Sequence, residues 1–176
     1  KAIRRQRQMC IRDSGMVLQD TKIFQGTIRE NIAYGKPNAS IEEIKQAAEL
    51  SFANTFIEKL PDGYDTYISN SDMLSEGEVQ LLNIARIMLI KPPILILDEA
   101  TSNIDLLTED MIKKAILELT SNSTSIIIAH RLSTIKNCDF IVFIEDGNIV
   151  EVGTHDELIN KKGAYYNMYK SQFNLI

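Results

Sequence analysis

Short aliphatic runs alternate along this chain with longer stretches whose apolar residues recur at helical spacing. The runs cover residues 15–18, 94–97 and 125–129, and their lack of polar alternation is typical of strands buried on both faces of a parallel sheet. Helical patterns cover residues 79–91 and 106–119. Strands that alternate with helices in this way predict an α/β fold with a mostly parallel sheet flanked by helices.

Three helix starts carry the Ser/Thr-x-x-Glu capping box, in which two side chains satisfy free backbone N–H groups at the beginning of a helix. The boxes begin at Ser40, Ser75 and Thr154. The helix that follows Ser75 is apolar almost all round, which predicts deep packing, and Pro92 and Pro93 end it. Near the end of the chain, the pair Asp-Gly at 146–147 predicts the turn of a β-hairpin.

Composition limits the class of protein. The 176 residues fit one domain with a full-sized core, and 44% hydrophobic and 24% charged residues are typical of a soluble globular protein. The net charge of −5 argues against nucleic acid as a partner. Cys10 and Cys138 are isolated, which predicts neither a disulfide framework nor a metal site. No apolar run is long enough to span a bilayer.

Polar residues follow the three aliphatic runs: Gln19 the first, Asp98 and Glu99 the second, and His130 the third. Ligands of parallel α/β sheets bind beyond the carboxyl ends of the strands, so neighbouring strands would bring these residues into one crevice. There Asp98 suits Mg²⁺, and Glu99 suits the orientation or deprotonation of a water molecule. Gln19 suits the same ion or water and His130 a phosphoryl group, which together favour metal-assisted phosphoanhydride hydrolysis. Taken singly, the acid pair also fits a helix N-cap and the histidine a structural role.

The segment LSEGE, residues 74–78, adds a candidate anion site. Ser75 supplies a hydroxyl at the start of a helix, Gly77 allows close approach of the backbone, and the helix end is positive. The alternative is an ordinary capping box.

Five segments occur in the order that one known family shows. They are GMVLQDTKIFQGTIRENIAYG with the Gln19 of a Q-loop, LSEGEVQLLNIAR as a signature, ILILDEATSNID as a Walker B motif with a D-loop, IIIAHRLSTI as a switch-histidine segment, and FIEDGNIVEVGTHDELI as the hairpin and helix beyond it. From residue 15 to about residue 173 the chain resembles the nucleotide-binding domain of an ATP-binding-cassette (ABC) transporter of the exporter type. The resemblance implies a P-loop NTPase-like fold with a helical signature subdomain at about residues 27–90.

The resemblance implies a dimeric ATPase in which two domains enclose two ATP molecules with Mg²⁺. By this resemblance Asp98 helps to hold Mg²⁺, and Gln19 senses the metal and the attacking water. Glu99 polarises that water, and His130 contacts the γ-phosphate.

The signature, by the same resemblance, acts on the ATP held by the opposite domain. Ser75 and Gly77 face the γ-phosphate of that ATP beside Glu78, and Asp105 lies at the dimer contact. The Gln19 segment meets the coupling helices of a membrane domain, which exporters commonly carry upstream on the same polypeptide. The expected location is the cytoplasmic face of the cell membrane, where the membrane domain chooses the transported substrate.

Two departures from the family pattern affect these expectations. Glu78 stands where the signature usually has Gln, and its charge either weakens closure around ATP or is harmless because the carboxylate points back to cap Ser75. No G-x-x-x-x-G-K-[ST] loop occurs in the sequence, so we expect an N-terminally truncated domain that is inactive alone.

The start of the chain has a separate interpretation. QMCIRDS, residues 8–14, fits nothing in the family and resembles the translation of a transposon adapter end used in sequencing libraries. Residues 1–14 are therefore interpreted as a non-native or scar-containing terminus, in which residues 7–14 are the assembly scar, with a divergent natural terminus as the alternative. Residues 15–176 are interpreted as the C-terminal part of the ATP-binding domain.

Two other functions are alternatives. One is a non-catalytic module that dimerises with a complete ATP-binding domain and donates only its signature. The other is a soluble cassette ATPase of chromosome maintenance or DNA repair, which would need a long coiled-coil insertion or a basic face that this sequence lacks.

Overall fold

The computed structural model describes residues 14–17, 22–98, 104–121, 123–129 and 135–172. Two compact units divide between Ile128 and Ala129. The first unit contains strands β1 (Ser14–Val17), β2 (Gly26–Thr27), β3 (Tyr67–Ile68), β4 (Ile94–Asp98) and β5 (Thr124–Ile128), and helices α1 (Ile28–Ile32), α2 (Ile41–Leu50), α3 (Asn54–Ile57), α4 (Glu76–Ile90) and α5 (Leu106–Thr120). Ser14, placed by the sequence analysis in the non-native terminus, is the first residue of β1, and residues 1–13 lie outside the described residues.

A three-stranded parallel sheet in the first unit has the order β1–β4–β5. Val17, Leu97 and Ile127 form one row across its three strands. The α/β class and the parallel sheet predicted from the aliphatic runs are therefore confirmed.

The described residues cover one face of this sheet, so the prediction that its strands are buried on both faces is wrong. Leu95 and Leu97 are buried, together with Ile87 of α4. Side chains of a strand alternate between its two faces, and α4 and α5 pack against one face. The alternating residues on the other face are open to solvent by 41–55%: Met16, Ile94, Ile126 and Ile128.

The helices α1 to α4 share one hydrophobic core with part of α5. Ile28, Leu82 and Ile112 are fully buried there, one each from α1, α4 and α5. The capping box at Ser40 begins α2 as predicted, and the apolar residues of this helix at helical spacing are buried: Ile44, Ala47 and Ala48. A further capping box, in which Thr27 and Glu30 begin α1, was missed although the Thr-x-x-Glu spacing is visible in the sequence.

Helix α4 confirms the prediction of a deeply packed helix, because 11 of its 15 residues are buried. Ser75 and Glu78 form the predicted capping box at its start. Lys91 adopts the left-handed conformation with φ 51° and ends the helix immediately before Pro92. No helix in the described part of the chain is long and apolar enough to cross a membrane.

The second unit contains a hairpin of β6 (Ile141–Glu145) and β7 (Asn148–Gly153), followed by α6 (His155–Lys161) and α7 (Ala164–Gln172). Asp146 and Gly147 have φ values of 48° and 75°, as the predicted two-residue turn requires. The predicted capping box at Thr154 begins α6. Tyr165 of α7 is fully buried against this hairpin and α6, although the sequence analysis did not predict α7.

Candidate functional site

The carboxyl ends of β1, β4 and β5 lie side by side, because these strands are adjacent and parallel. Val17 lies opposite Leu97, and Asp98 lies opposite Ile128. The carboxyl ends of the three strands therefore form one edge of the sheet, beyond which the sequence predicts a site. Three of them, Gln19, Glu99 and His130, lie outside the described residues, so their placement stays a prediction.

Asp98 is the last residue of the central strand β4 and is half-buried. The alternation along β4 places it on the same face as Ile94 and Ile96, which α4 and α5 do not cover. A carboxylate at an accessible strand end fits the oxygen ligands that Mg²⁺ prefers. Among the described residues no three His, Cys, Asp or Glu side chains form a metal-binding group. A single carboxylate such as that of Asp98 fits the pattern in which one or two carboxylates hold Mg²⁺ beside waters and substrate phosphates.

The turn before α4 brings Ser75 and Glu78 into direct contact. The backbone N–H and the hydroxyl of Ser75 both donate to Oε2 of Glu78, at 2.8 and 2.9 Å. In return, the N–H of Glu78 donates to Oγ of Ser75 at 3.3 Å. The Glu78 carboxylate therefore points back to Ser75 and accepts the hydrogen bond of its hydroxyl, while the effect of its charge on closure around ATP stays a prediction.

Gly77 is buried where the first turn of α4 meets the start of α5. A Cβ atom on Gly77 would collide with the side chain of Thr108 and would come within 3.3 Å of Ile104. The absence of a side chain thus lets the signature turn pack directly on residues 104–108. This packing is a second reason for glycine here, beside the predicted approach to a phosphate.

Asp105 is the N-cap of α5. Its Oδ1 accepts the backbone N–H groups of Leu107 and Thr108 at 3.1 and 3.0 Å. The N–H of Thr108 and then its hydroxyl hold the pKa of the Asp105 carboxyl below its ordinary value. This cap was not predicted from the sequence, although an Asp immediately before an apolar-periodic stretch is an ordinary helix-start signal. Both Gly77 and Asp105 contact Thr108, so the predicted signature and the predicted D-loop adjoin.

Arg86 joins α4 to the chain before α1 and is only 8% exposed. Its Nε and Nη2 donate to the backbone oxygen and Oδ1 of Asn31, at 2.7 and 2.6 Å, and Nη1 donates to the backbone oxygen of Lys22 at 2.9 Å. Burial lowers the pKa of the guanidinium, which still stays protonated at neutral pH. The overlooked signal in the sequence is that Arg86 is the one charged residue in the otherwise largely apolar stretch 79–90.

An aromatic pair lies beside this arginine. The ring of Phe24 lies 5.3 Å from the guanidinium carbon of Arg86 and stacks on Tyr34 with 4.3 Å between centroids. Both rings remain accessible, Phe24 by 42% and Tyr34 by 63%. The segment that follows Gln19 in the chain therefore presents aromatic surface to solvent.

Comparisons with known proteins agree with the motifs. Residues 1–102 match the family described as ABC transporter. The uncharacterised ABC transporter ATP-binding protein YfiC of Bacillus subtilis (strain 168) is 52% identical over 92% of this chain. A fatty acid ABC transporter ATP-binding/permease protein of Mycobacterium tuberculosis is 50% identical over 89% of it, and a putative multidrug export ATP-binding/permease protein of Staphylococcus aureus is 52% identical over 90%. The chain spans only 25–28% of the length of these relatives.

Among solved structures, a bacterial Atm1-family ABC exporter with ATP bound superposes with a TM-score of 0.82 and 41% sequence identity. The match covers 92% of this chain and 28% of the exporter chain. Fold, motif order and relatives thus agree: the chain belongs to the ABC transporter family, as a nucleotide-binding domain of the exporter type.

Proposed function

We propose that this domain binds ATP with Mg²⁺ and that the complete transporter hydrolyses ATP to drive export across a membrane. The observation that carries the proposal is the position of Asp98 at the end of β4, between the parallel neighbours β1 and β5. The chain leads from those neighbours to Gln19 and His130, which supports one crevice for all these groups.

In this proposal Asp98 holds the metal, and Glu99 polarises the attacking water. Bound Mg²⁺ would neutralise charge on the β- and γ-phosphates of ATP. Gln19 orients the metal and the water, and His130 donates a hydrogen bond to the γ-phosphate. Phosphoryl transfer needs little covalent help from a protein, so positioning and charge neutralisation account for most of the rate.

A second nucleotide-binding domain completes the site in this proposal. The N-terminal end of α4 carries the positive end of the helix dipole, which suits the γ-phosphate of the second domain's ATP. Ser75, Gly77 and Glu78 lie at that end, and Asp105 lies next to it through Thr108. The proximity of these two motifs supports a single surface for the second domain, in a homodimer or a heterodimer.

The membrane partner is proposed to be a permease domain on the same polypeptide. Relatives of this chain are named ATP-binding/permease proteins, and they are about four times as long as the matched part. The exposed pair Phe24 and Tyr34 supports contact with coupling helices near Gln19. The domain would then work at the cytoplasmic face of the membrane.

The test uses the complete gene product and two substitutions at the strand end. We expect Glu99→Gln to lower ATP turnover about 10²- to 10⁴-fold while ATP binding persists, because only the group acting on water is lost. Asp98→Asn should instead weaken the Mg²⁺-dependent part of ATP binding. Phosphate release and equilibrium ATP binding, with and without Mg²⁺, measure the two effects.

Glu145→Gln is the matched control, since this exposed acid also ends a strand and is none of the proposed site residues. It should keep wild-type turnover. Wild-type turnover in Glu99→Gln would contradict the proposal.

The 176-residue chain alone should not hydrolyse ATP, because its sequence has no glycine-rich phosphate loop with its lysine. If adding this chain to the complete protein stimulates turnover, the module that only donates a signature becomes the better description.

A further inference from the structure

Arg86 connects two parts of the chain that have separate roles in the proposed ATPase. It lies on α4, the helix that begins at the signature residue Ser75, and it binds the backbone of Lys22, three residues after Gln19. We propose that Arg86 is a positioning residue that holds the segment 22–24 against α4, so that the chain after Gln19 moves with the signature helix. The catalytic consequence rests on the proposed function, whereas the contact itself is independent of it.

The guanidinium of Arg86 binds two separate segments of the chain. Three of its N–H groups reach oxygens on two different segments, at 2.6 to 2.9 Å. Hydrogen bonds from a charged donor at such distances are among the strong ones in proteins. Lysine has a single ammonium group on a flexible stem and lacks the planar fork that binds Asn31 and Lys22 together.

Asn31 is 2% exposed. Its Oδ1 accepts the N–H of Phe24 at 3.0 Å as well as the Arg86 bond, and its Nδ2 donates to the backbone oxygens of Phe24 and Thr27 at 2.9 and 3.0 Å. One amide side chain, oriented by Arg86, therefore satisfies both backbone groups of Phe24.

Segment 22–24 has no regular secondary structure to hold its backbone. Residues 22–25 lie outside every helix and strand that the structure describes. Such a segment has no ladder of backbone hydrogen bonds, so its position depends on side chains that bind its backbone. Arg86, Asn31 and the Phe24 ring that stacks near the guanidinium supply those contacts.

Position 86 of α4 could hold an apolar residue instead of arginine. An apolar side chain would suffice to pack this position of α4, since replacing a buried charge by a well-packed apolar residue is often neutral for stability. A buried arginine whose hydrogen bonds reach two segments instead fixes one arrangement of the segments that it joins. This distinction separates positioning from a merely structural role and provides the test.

The first readout is the hydrogen exchange of the Phe24 amide in the complete gene product. Arg86→Met keeps the length of the side chain and removes its donors, and we expect the Phe24 amide to exchange about tenfold faster or more. Met88→Ala is the matched control, because Met88 is buried on the same helix and contacts neither segment 22–24 nor Asn31 through a hydrogen bond. It should lower the thermal midpoint while the Phe24 amide keeps its exchange rate relative to the rest of the core.

The second readout is the Mg²⁺ dependence of ATP turnover. Arg86→Met should raise the Mg²⁺ concentration for half-maximal turnover about tenfold, because the segment that follows the metal-sensing Gln19 is no longer held. Loss of folded protein alone lowers the maximal rate without moving that concentration, as expected for Met88→Ala. Arg86→Lys keeps the positive charge but lacks the planar guanidinium, so it should resemble Arg86→Met. If the charge alone were needed, Arg86→Lys would keep the wild-type Mg²⁺ dependence.

Phe24→Ala keeps the proposal testable if Arg86→Met does not fold, because Phe24 is partly exposed and its ring has no polar atom. In this variant the amide of residue 24 should exchange faster, and half-maximal turnover should need more Mg²⁺, both by smaller factors than in Arg86→Met. Wild-type exchange and wild-type Mg²⁺ dependence in the folded variants would overturn the role of Arg86. A wild-type protein that does not hydrolyse Mg²⁺-ATP would refute the proposed function alone, since amide exchange would still decide whether Arg86 holds the segment.

Discussion

Glu78 adds a carboxylate to the first turn of α4. The proposed function places the γ-phosphate of a second domain's ATP at this N-terminal end. Glu78→Gln removes this negative charge and keeps an oxygen that can accept the N–H of Ser75. We expect KM for ATP to fall about two- to fivefold in the complete protein, the range of charge effects at an exposed helix end. Phosphate release over a range of ATP concentrations measures this KM.

Glu43 offers a matched control at the residue scale, because it forms the same capping box with Ser40 at the start of α2. Glu43→Gln changes the same charge at a helix end that has no proposed ligand. KM for ATP should stay at the wild-type value in this variant. An equal fall of KM in both variants would show that the effect of Glu78→Gln does not come from the signature site.

At the scale of elements, the starts of α2, α4 and α6 could be predicted because a capping box uses residues three apart in the sequence. The contact between Arg86 and Lys22 could not, because the two residues are 64 positions apart. The sequence shows that a charge in an apolar helix needs a partner, but the fold decides which backbone supplies it. For the same reason Asp98 could be placed at a strand end, whereas the packing of Gly77 on Thr108 could not.

The cap of α5 makes the stability of this element depend on pH. The Asp105 carboxyl accepts the N–H of Thr108, so its pKa in the folded chain is below the ordinary value of 3.8. A group with a lowered folded pKa stabilises the fold fully above its unfolded pKa, and this contribution is lost as the pH falls through the folded pKa. Asp105→Asn keeps a capping oxygen that does not titrate, so its thermal midpoint should fall less than that of the wild type below about pH 5.

Thermal unfolding of both proteins from neutral to acidic pH measures this difference. Asp105→Ala is the companion variant, because it removes the cap itself and should lower the midpoint at neutral pH as well. Parallel pH curves for wild type and Asp105→Asn would show that the Asp105 cap does not contribute to acid sensitivity.

At the scale of the whole molecule, the aliphatic runs predict strands but not how many of their faces are covered. A run such as residues 125–129 has apolar side chains on both faces, whichever face the fold buries. In the described part of the chain, α4 and α5 cover one face of the sheet, and the other presents Met16, Ile94, Ile126 and Ile128. Exposed apolar surface of this kind favours self-association of the 176-residue chain.

Ile126 and Ile127 of β5 allow a direct test of which face of the sheet is covered, because both are isoleucines and lie on opposite faces. Ile126 is 55% exposed, whereas Ile127 packs with the buried cluster of Leu95 and Leu97. Ile127→Thr should lower the free energy of unfolding by about 2 kcal/mol or more, since it buries a hydroxyl and leaves a gap. Ile126→Thr should change that free energy by less than about 1 kcal/mol.

The same pair separates stability from self-association. Ile126→Thr removes apolar surface from the open face, so it should bind less of a hydrophobic dye and scatter less light than the wild-type chain at equal concentration. Urea unfolding of both variants gives the free energies. If Ile126→Thr were the more destabilising change, this face would be covered in solution, and the exposed apolar surface would no longer account for association of the chain.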